Sequence, residues 1–294
     1  HAFSHFNIKL SGYFCSERKY FIEEKENRKW ISKKNIRIIH FRKQIISFLK
    51  NLSCIISMLK TVYSFIIWPI WYAFFIPSLL ILFLLIVTVP RNNLFYFIRP
   101  LCWMYCFFAG QWLRKINKPP KKEDGPYLYM FNHVSMFDQF MIGAYVNHYI
   151  TAVAAIEIFK YPIFGFLIKK YGVIPIVRQK IKKAIGSLNL AEKAIRQGTS
   201  FLISPEGTRT LTGKIGSFKK GPFHLAKNTN VTIVPIAIKG GLRAKKKNDW
   251  RIQPGILTIV FGEPIESSEY LNLNISELQN LVLKRILELK KKDL

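Results

Sequence analysis

Hydrophobic residues are concentrated in one part of this chain, and their spacing predicts two membrane-embedded helices. Residues 61–90 carry no charged side chain, and this run exceeds the roughly 20 apolar residues that span the hydrocarbon core of a bilayer. A polar turn at residues 91–93 separates it from a second apolar segment, residues 94–112. Two apolar stretches joined by a short turn predict a helical hairpin within residues 61–113.

Basic residues flank this hairpin on both sides. They are Arg42, Lys43, Lys50 and Lys60 before it and Arg114, Lys115 and Lys118 after it. Because cytoplasmic loops are enriched in Lys and Arg, this distribution favours a hairpin that returns the chain to the cytoplasm. A single span that leaves the two ends on opposite sides stays open, and the cost of burying Arg99 favours a second segment that lies in the interface. We expect a membrane protein whose C-terminal domain faces the cytoplasm.

Residues 114–294 follow a different pattern, typical of a globular α/β domain with a mostly β sheet core flanked by helices. Short β-rich runs alternate with amphipathic helical stretches. The runs are YLYMF (127–131), VIPIV (173–177), SFLI (200–203), VTIVPIAI (231–238) and LTIVF (257–261). One helical pattern ends at Gly198, a residue suited to the C′ position. The last helix is predicted to begin at Ser276, with Gln279 three residues later in a capping box.

The net charge of +28 requires an anionic partner or heavy solvation. Beside a membrane segment, the basic residues favour contacts with acidic lipid headgroups, each worth about 1 kcal/mol. Residues 1–60 are therefore interpreted as a basic region at the membrane interface. No recognisable nucleic-acid motif accompanies the charge, so we predict no nucleic-acid partner. A basic membrane-binding protein without enzymatic activity stays open as an alternative.

One short stretch, NHVSMFDQF (132–140), places a histidine and an aspartate among apolar residues. In an uninterrupted helix, about 100° per residue would leave His133 and Asp138 about 140° apart, so the side chains could not face each other. The stretch follows a predicted strand, however, and Ser135 suits the N-cap of a helix that starts there. His133 then lies on non-helical backbone and can fold back onto Asp138. A capping box formed by Ser135 and Asp138 is the structural alternative.

Four sequence blocks resemble, in order and spacing, the motifs of the glycerolipid acyltransferases, the family of 1-acylglycerol-3-phosphate acyltransferase. They are NHVSMFDQ (132–139), GVIPIVRQ (172–179), SPEGTRT (204–210) and VPIAIKG (234–240). The resemblance covers about residues 115–265 and implies a glycerol-3-phosphate acyltransferase-like fold. The chain departs from the family at Ser204, at Pro175 and ahead of Glu157, where a lysine is often found; these departures concern the acceptor.

The resemblance implies an enzyme of phospholipid biosynthesis. It would move a fatty acyl group from an acyl thioester, acyl-CoA or acyl carrier protein, to the sn-2 hydroxyl of lysophosphatidic acid. His133 and Asp138 would be catalytic. The acceptor-binding residues that the resemblance implies are Arg178, Glu206, Gly207, Thr208 and Arg209. Glu206 is assigned to orienting Arg209 or a glycerol hydroxyl, because a carboxylate would repel the phosphate.

The residue types fit this chemistry. Histidine has an ordinary pKa near neutrality, which suits proton removal, and a carboxylate on its other nitrogen fixes the tautomer. No nucleophile of the enzyme's own is evident, so we expect direct attack by the lipid hydroxyl and an apolar groove for the acyl chain nearby. Neither His133 nor Asp138 has further ligands at metal-binding spacing, so we expect no metal site and no cofactor besides the acyl-thioester co-substrate.

Two other enzymatic interpretations stay open. The same reaction type could serve a different acceptor, such as glycerol 3-phosphate, another lysophospholipid or an amino lipid. A hydrolase that uses Ser135 as nucleophile is disfavoured, because the chain lacks the G-x-S-x-G pattern of a nucleophile elbow.

Overall fold

The computed structural model describes residues 9–10, 19–23, 28–177 and 181–292. The chain forms two compact units, residues 1–59 and 60–294. The first unit contains an antiparallel sheet and the start of a long helix: β1 (Lys9–Leu10), β2 (Lys19–Glu23), β3 (Arg28–Ser32) and α1 (Lys33–Thr88). The domain boundaries expected near residues 60 and 113 stay a prediction.

The second unit begins with the C-terminal half of α1, which packs on α2 (Phe95–Phe108). The indole Nε1 of Trp71 donates to the carbonyl of Tyr105 at 2.9 Å, and the hydroxyls of Ser78 and Tyr105 lie 2.6 Å apart. A 3₁₀ turn at Arg91–Asn93 joins the helices, so the turn lies where the hydrophobic pattern predicts it. The stretch Ile45–Thr88 is long and apolar enough to cross a membrane, and most of its side chains are exposed, which supports membrane association.

A seven-stranded sheet forms the centre of this unit. Its strands are β4 (Gln111–Ile116), β5 (Tyr127–Phe131), β6 (Ile150–Ala155), β7 (Ile174–Ile176), β8 (Ser200–Ile203), β9 (Thr232–Lys239) and β10 (Gly255–Phe261). Their order is β4-β10-β9-β5-β8-β6-β7, and every neighbouring pair is parallel except β9 and β10. The five predicted strands are confirmed. The prediction missed β4 and β6, and it wrongly assigned the first residues of β4 to the second apolar segment.

Helices cover both faces of the sheet, as the α/β fold class predicts. The helices after α2 are α3 (Asp138–Tyr145), α4 (Pro162–Tyr171), α5 (Ile181–Arg196), α6 (Gly221–Thr229), α7 (Gly241–Ala244), α8 (Ser267–Tyr270) and α9 (Ile275–Lys291). Because side chains alternate along a strand, β5 directs Tyr129 toward a core shared with α1, α2 and α3, and Met130 toward a core shared with α5, α6 and α9. All five residues of β5 are buried, which fixes the strand that leads into the candidate site.

Two helix ends test the predicted capping. Gly198 has a φ of +86° and its amide donates to the Ile195 carbonyl at 2.9 Å, so the predicted C′ residue of α5 is confirmed. The capping box predicted at Ser276 and Gln279 is wrong. The N-cap of α9 is Asn274, which exchanges hydrogen bonds with Glu277 at 3.0 and 2.7 Å. Asn is as good an N-cap as Ser, and Gln279 instead donates to the backbone at Phe218.

Candidate active site

The turn after β5 is fixed by a buried asparagine. The Asn132 side chain accepts from the Ile238 amide at 2.7 Å and donates to the Ile238 carbonyl at 3.1 Å. The carboxamide thereby pairs with β9 as another backbone residue would, which extends the β5–β9 ladder by one position. The chain leaves the sheet directly afterwards, so the next residue, His133, projects from a rigid strand end.

His133 and Asp138 meet across this turn. The Nδ1 atom of His133 lies 2.7 Å from Oδ2 of Asp138, and the same oxygen accepts from the amides of Val134 at 2.6 Å and Ser135 at 2.9 Å. Asp138 is fully buried, whereas the His133 side chain is 20% exposed. Since Oδ2 is an acceptor for all three groups, the ring proton lies on Nδ1 and the lone pair on Nε2 is available to a substrate.

The predicted helix start in this turn needs one correction. α3 begins at Asp138, after Phe137 at the N-cap, and no side-chain bond caps it. Ser135 is therefore not the N-cap, and its buried hydroxyl donates to the Lys245 carbonyl at 3.1 Å. The main expectation holds: His133 lies on non-helical backbone ahead of the helix, and Asp138 lies in the first turn.

Glu206 holds the backbone of His133 in place. One carboxylate oxygen accepts the His133 amide at 2.8 Å, and the other accepts the Gly216 amide at 2.7 Å. The Thr210 amide in turn donates to the His133 carbonyl at 2.8 Å. Burial raises the pKa of Glu206, and the amides of Gly216 and His133 oppose that rise. The structure thus uses both oxygens of Glu206 for backbone amides rather than for Arg209, which makes Glu206 a positioning residue.

The residues after Glu206 form a turn beside this pair. Gly207 has a φ of +70°, a left-handed conformation that favours glycine, and its amide donates to the Ser204 carbonyl. The Thr208 hydroxyl oxygen accepts from Lys247 Nζ at 2.9 Å. Arg209 is half-buried, and its charge, after burial, contributes to lowering the pKa of Lys245. Arg178 lies outside the described residues.

An apolar cavity of about 220 Å³ opens along α3. It lies between α1, α2, α3, α4 and the strands β6 and β8. Gln139 and Phe140, which follow Asp138 directly in the chain, belong to its wall. The remaining wall includes Phe75, Leu79, Leu82, Ile98, Phe164 and Leu167. This cavity is the candidate for the apolar groove expected near the His133 turn.

Comparison with known proteins identifies the domain that contains this site. A sequence model of the family described as "Acyltransferase" matches residues 113–239, a range that begins within β4 and ends with β9. This chain carries an acyltransferase-family domain. The range contains all four sequence blocks up to Lys239 and both members of the His133–Asp138 pair, so the resemblance to the glycerolipid acyltransferases is confirmed.

Curated relatives of the acyltransferase domain include two plant proteins. A 1-acyl-sn-glycerol-3-phosphate acyltransferase of Cocos nucifera is 34% identical over 144 residues, which is 49% of this chain and 47% of the relative. A chloroplastic protein of the same name from Arabidopsis thaliana is 30% identical over 147 residues, 50% of this chain and 41% of the relative. This chain thus spans about half the length of these relatives.

A solved structure shares the fold. The crystal structure of the 1-acyl-sn-glycerophosphate (LPA) acyltransferase PlsC from Thermotoga maritima superposes with a TM-score of 0.65 at 23% identity. The match covers 82% of this chain and 98% of the other. At this identity the likeness shows the fold alone, a mixed α/β sheet with flanking helices.

Sequence reasoning missed three residues of the candidate site. Asn132 lies inside the NHVSMFDQF stretch, and its position directly after a strand was the available signal. Gly241 packs against the turn: a Cβ there would lie 3.0 Å from the Ser135 Cβ and 3.4 Å from Asp138 Oδ1. Lys247 belongs to a lysine run that the sequence presents as ordinary surface charge, and only the fold brings it to Thr208.

Proposed function

We propose that this chain transfers a fatty acyl group from an acyl thioester to the sn-2 hydroxyl of lysophosphatidic acid, which yields phosphatidic acid. The observation that carries the proposal is the 2.7 Å contact between His133 Nδ1 and Asp138 Oδ2 beside an apolar cavity. The names of the curated relatives support lysophosphatidic acid as the acceptor. The donor is acyl-CoA or acyl carrier protein, and the reaction needs no further cofactor.

His133 acts as the general base. Its Nε2 takes the proton of the acceptor hydroxyl while the hydroxyl oxygen attacks the thioester carbonyl carbon. The new C–O bond forms, the C–S bond breaks, and the imidazolium returns the proton to the leaving thiolate. Asp138 stabilises that imidazolium through Nδ1–H. Ser135 is fully buried and donates to the Lys245 carbonyl, which supports direct transfer without an acyl-enzyme.

The turn at Gly207, Thr208 and Arg209 holds the acceptor's phosphate. The guanidinium of Arg209 is a planar donor suited to phosphate, and it makes no ion pair with any residue that the structure describes. Arg178 is proposed to assist it, on the resemblance alone. Glu206 positions His133 through the backbone rather than touching the anion.

The cavity along α3 accommodates an acyl chain. Its wall is apolar, and burying a hydrocarbon chain there is worth about 0.8 kcal/mol per methylene. Part of the wall comes from α1 and α2, so the cavity lies beside the apolar surface that supports membrane association. The basic flanks of the predicted hairpin favour the cytoplasmic side for this domain.

A substrate panel tests this proposal. Purified protein in lipid is given labelled acyl-CoA or acyl carrier protein with lysophosphatidic acid, glycerol 3-phosphate or a lysophospholipid that has a larger headgroup. We expect labelled phosphatidic acid with lysophosphatidic acid and slower transfer to the other acceptors. Faster transfer to glycerol 3-phosphate or to a lysophospholipid with a larger headgroup would show that lysophosphatidic acid is not the preferred acceptor. If free fatty acid is released from the donor at the same rate with and without an acceptor, the protein is a hydrolase.

A further inference from the structure

A loop outside the four sequence blocks lies beside the candidate site. It follows α7, and its first residue, Lys245, accepts the Ser135 hydroxyl on its carbonyl at 3.1 Å. Two residues later, Lys247 extends its ammonium to the Thr208 hydroxyl oxygen at 2.9 Å. The loop therefore contacts both the turn that carries His133 and the turn that carries Arg209.

The other end of the loop is tied to α1. The Asp249 carboxylate binds Lys60 Nζ at 2.9 Å and the Arg251 guanidinium at 3.0 and 3.1 Å. The Ile252 amide donates to the Ser64 hydroxyl at 2.9 Å. These bonds fix the backbone of the loop between the helix and the site, which places Lys247 beside Thr208.

Positive charge is left uncompensated at this place. The single carboxylate in the loop, Asp249, is occupied by Lys60 and Arg251. Burial lowers the pKa of Lys245, and the nearby charge of Arg209 lowers it further, while Asp249 opposes the change. Among the residues that the structure describes, neither Arg209 nor Lys247 forms an ion pair with a carboxylate. Clustered cations of this kind attract an anion.

We propose that Lys247 is a ligand for the acceptor's phosphate, that it binds this group together with Arg209, and that it favours a phosphate monoester over a phosphodiester headgroup. The inference rests on the function proposed above. Because Lys247 donates to the Thr208 oxygen, the Thr208 hydroxyl hydrogen is free to donate to a phosphate oxygen. One guanidinium, one ammonium and one hydroxyl then face the same anion.

The charge of the ligand explains the selectivity. A phosphate monoester loses its second proton near pH 6, so at neutral pH it carries close to two negative charges, as phosphoserine does. A phosphodiester carries one. The two cationic side chains, Arg209 and Lys247, match the two charges of the monoester. With a diester, which carries one charge, Lys247 adds less binding free energy. Lys247 therefore distinguishes lysophosphatidic acid from lysophospholipids that have a larger headgroup.

The test compares Lys247→Gln with Lys246→Gln in the full chain in lipid. Lys246 is the exposed neighbour, so both variants lose one positive charge from the same loop. The acceptor KM and the kcat are measured with lysophosphatidic acid at about pH 5 and about pH 7.5, on either side of the second phosphate ionisation. We expect Lys247→Gln to raise the KM roughly 10- to 100-fold at the higher pH. This factor corresponds to the loss of one hydrogen bond to a charged group. The kcat of Lys247→Gln stays near that of the wild type, as do the kcat and the KM of Lys246→Gln. Lys247→Arg, which keeps the positive charge, restores most of the affinity for the acceptor.

Three outcomes would overturn the proposal. The first is a KM change in Lys247→Gln no larger than in Lys246→Gln. The second is an equal KM rise at both pH values, since losing a contact to the dianion should matter little when the phosphate is singly charged. The third is a fall in kcat without a change in KM, which would indicate that the loop only supports the fold. Wild-type protein that acylates no lysophosphatidic acid would instead overturn the proposed function.

Discussion

The Asp138 carboxylate combines a structural and a chemical role in one oxygen atom. Oδ2 accepts the His133 ring and the amides of Val134 and Ser135, so it closes the turn and orients the imidazole together. Asp138→Asn retains the size of the side chain. If its N–H₂ group takes the place of Oδ2, it faces the backbone donors, and the imidazole must then carry its proton on Nε2, which is the wrong tautomer. We expect kcat to fall roughly 10³- to 10⁴-fold, as for the aspartate of a serine-protease triad.

The same variant also tests the structural role. We expect a lower Tm for Asp138→Asn, because a buried amide nitrogen would face backbone donors. Steady-state kinetics and thermal melting measure the two effects separately. A variant with wild-type kcat and a lower Tm would show that Asp138 only caps the turn.

His148 gives the fold a pH-dependent term. Its Nε2 lies 3.3 Å from the Tyr129 hydroxyl, and burial lowers the pKa of His148 from 6.5 to about 4, with a further contribution from Lys122. The unfolded chain takes up a proton as the pH falls through 6.5, whereas the folded chain does so only near pH 4. Stability is therefore lost across this window as the pH falls.

The replacement His148→Gln isolates this term, since glutamine bonds to Tyr129 without titrating. We expect the free energy of unfolding of the wild type to fall more between about pH 7 and about pH 4.5 than that of the variant. Urea unfolding at both pH values measures the difference. Parallel losses in the two proteins would show that His148 takes up its proton equally in the folded and unfolded states.

At the scale of elements, the loop before β10 joins α1 to the turn that carries His133. The Arg251 guanidinium, with Lys60, holds the pKa of Asp249 well below its usual range. This contribution to stability is present above about pH 4 and is lost as the pH falls below it. Lys60 and Asp249 lie 189 residues apart in the sequence, so their bond links two distant elements.

Asp249→Asn should loosen that connection. We expect a loss of roughly 1–2 kcal/mol in the free energy of unfolding, since the carboxylate is charged and hydrogen-bonded but partly exposed. Glu192→Gln is the matched control, because Glu192 bonds the exposed Arg196 on α5, and we expect it to cost less than about 0.5 kcal/mol. Chemical denaturation at pH 7 gives both values. Equal losses would contradict the anchoring role.

For the whole molecule, the hydrophobic pattern predicted the elements whose signal is local. The buried run 127–131 and the turn at 91–93 appear where the pattern places them. β4 was missed because its pairing partner is β10, which lies about 140 residues later in the chain, and its first residues continue an apolar segment. The capping of α3 was misplaced because the Ser135 hydroxyl bonds Lys245 instead of its own helix.

In the candidate site, too, the sequence predicted the contacts that are local and missed those between distant residues. His133 and Asp138 share one short turn, and strand-to-helix turns commonly present such groups. The bonds from Glu206 to His133 and from Lys247 to Thr208 span 73 and 39 residues. No local pattern encodes contacts at that distance, so only the packed sheet brings these side chains together.

At the scale of the whole molecule, we expect membrane binding to be apolar as well as electrostatic. Binding by basic residues alone weakens in salt, because exposed charges are screened within about 3 Å at 1 M ionic strength. The exposed apolar surface of Ile45–Thr88 is not screened. We expect the chain to stay bound to vesicles containing anionic lipid after a wash in about 1 M NaCl. Release into the wash would favour a peripheral, charge-driven attachment.

The central claim, that His133 takes the proton of the acceptor hydroxyl, is tested most directly by one comparison. The kcat for phosphatidic acid formation is measured for wild type, for His133→Ala and for His224→Ala, an exposed histidine on α6. We expect a fall of roughly 10³-fold or more for His133→Ala and an unchanged rate for His224→Ala. A His133→Ala rate within about tenfold of wild type would contradict it.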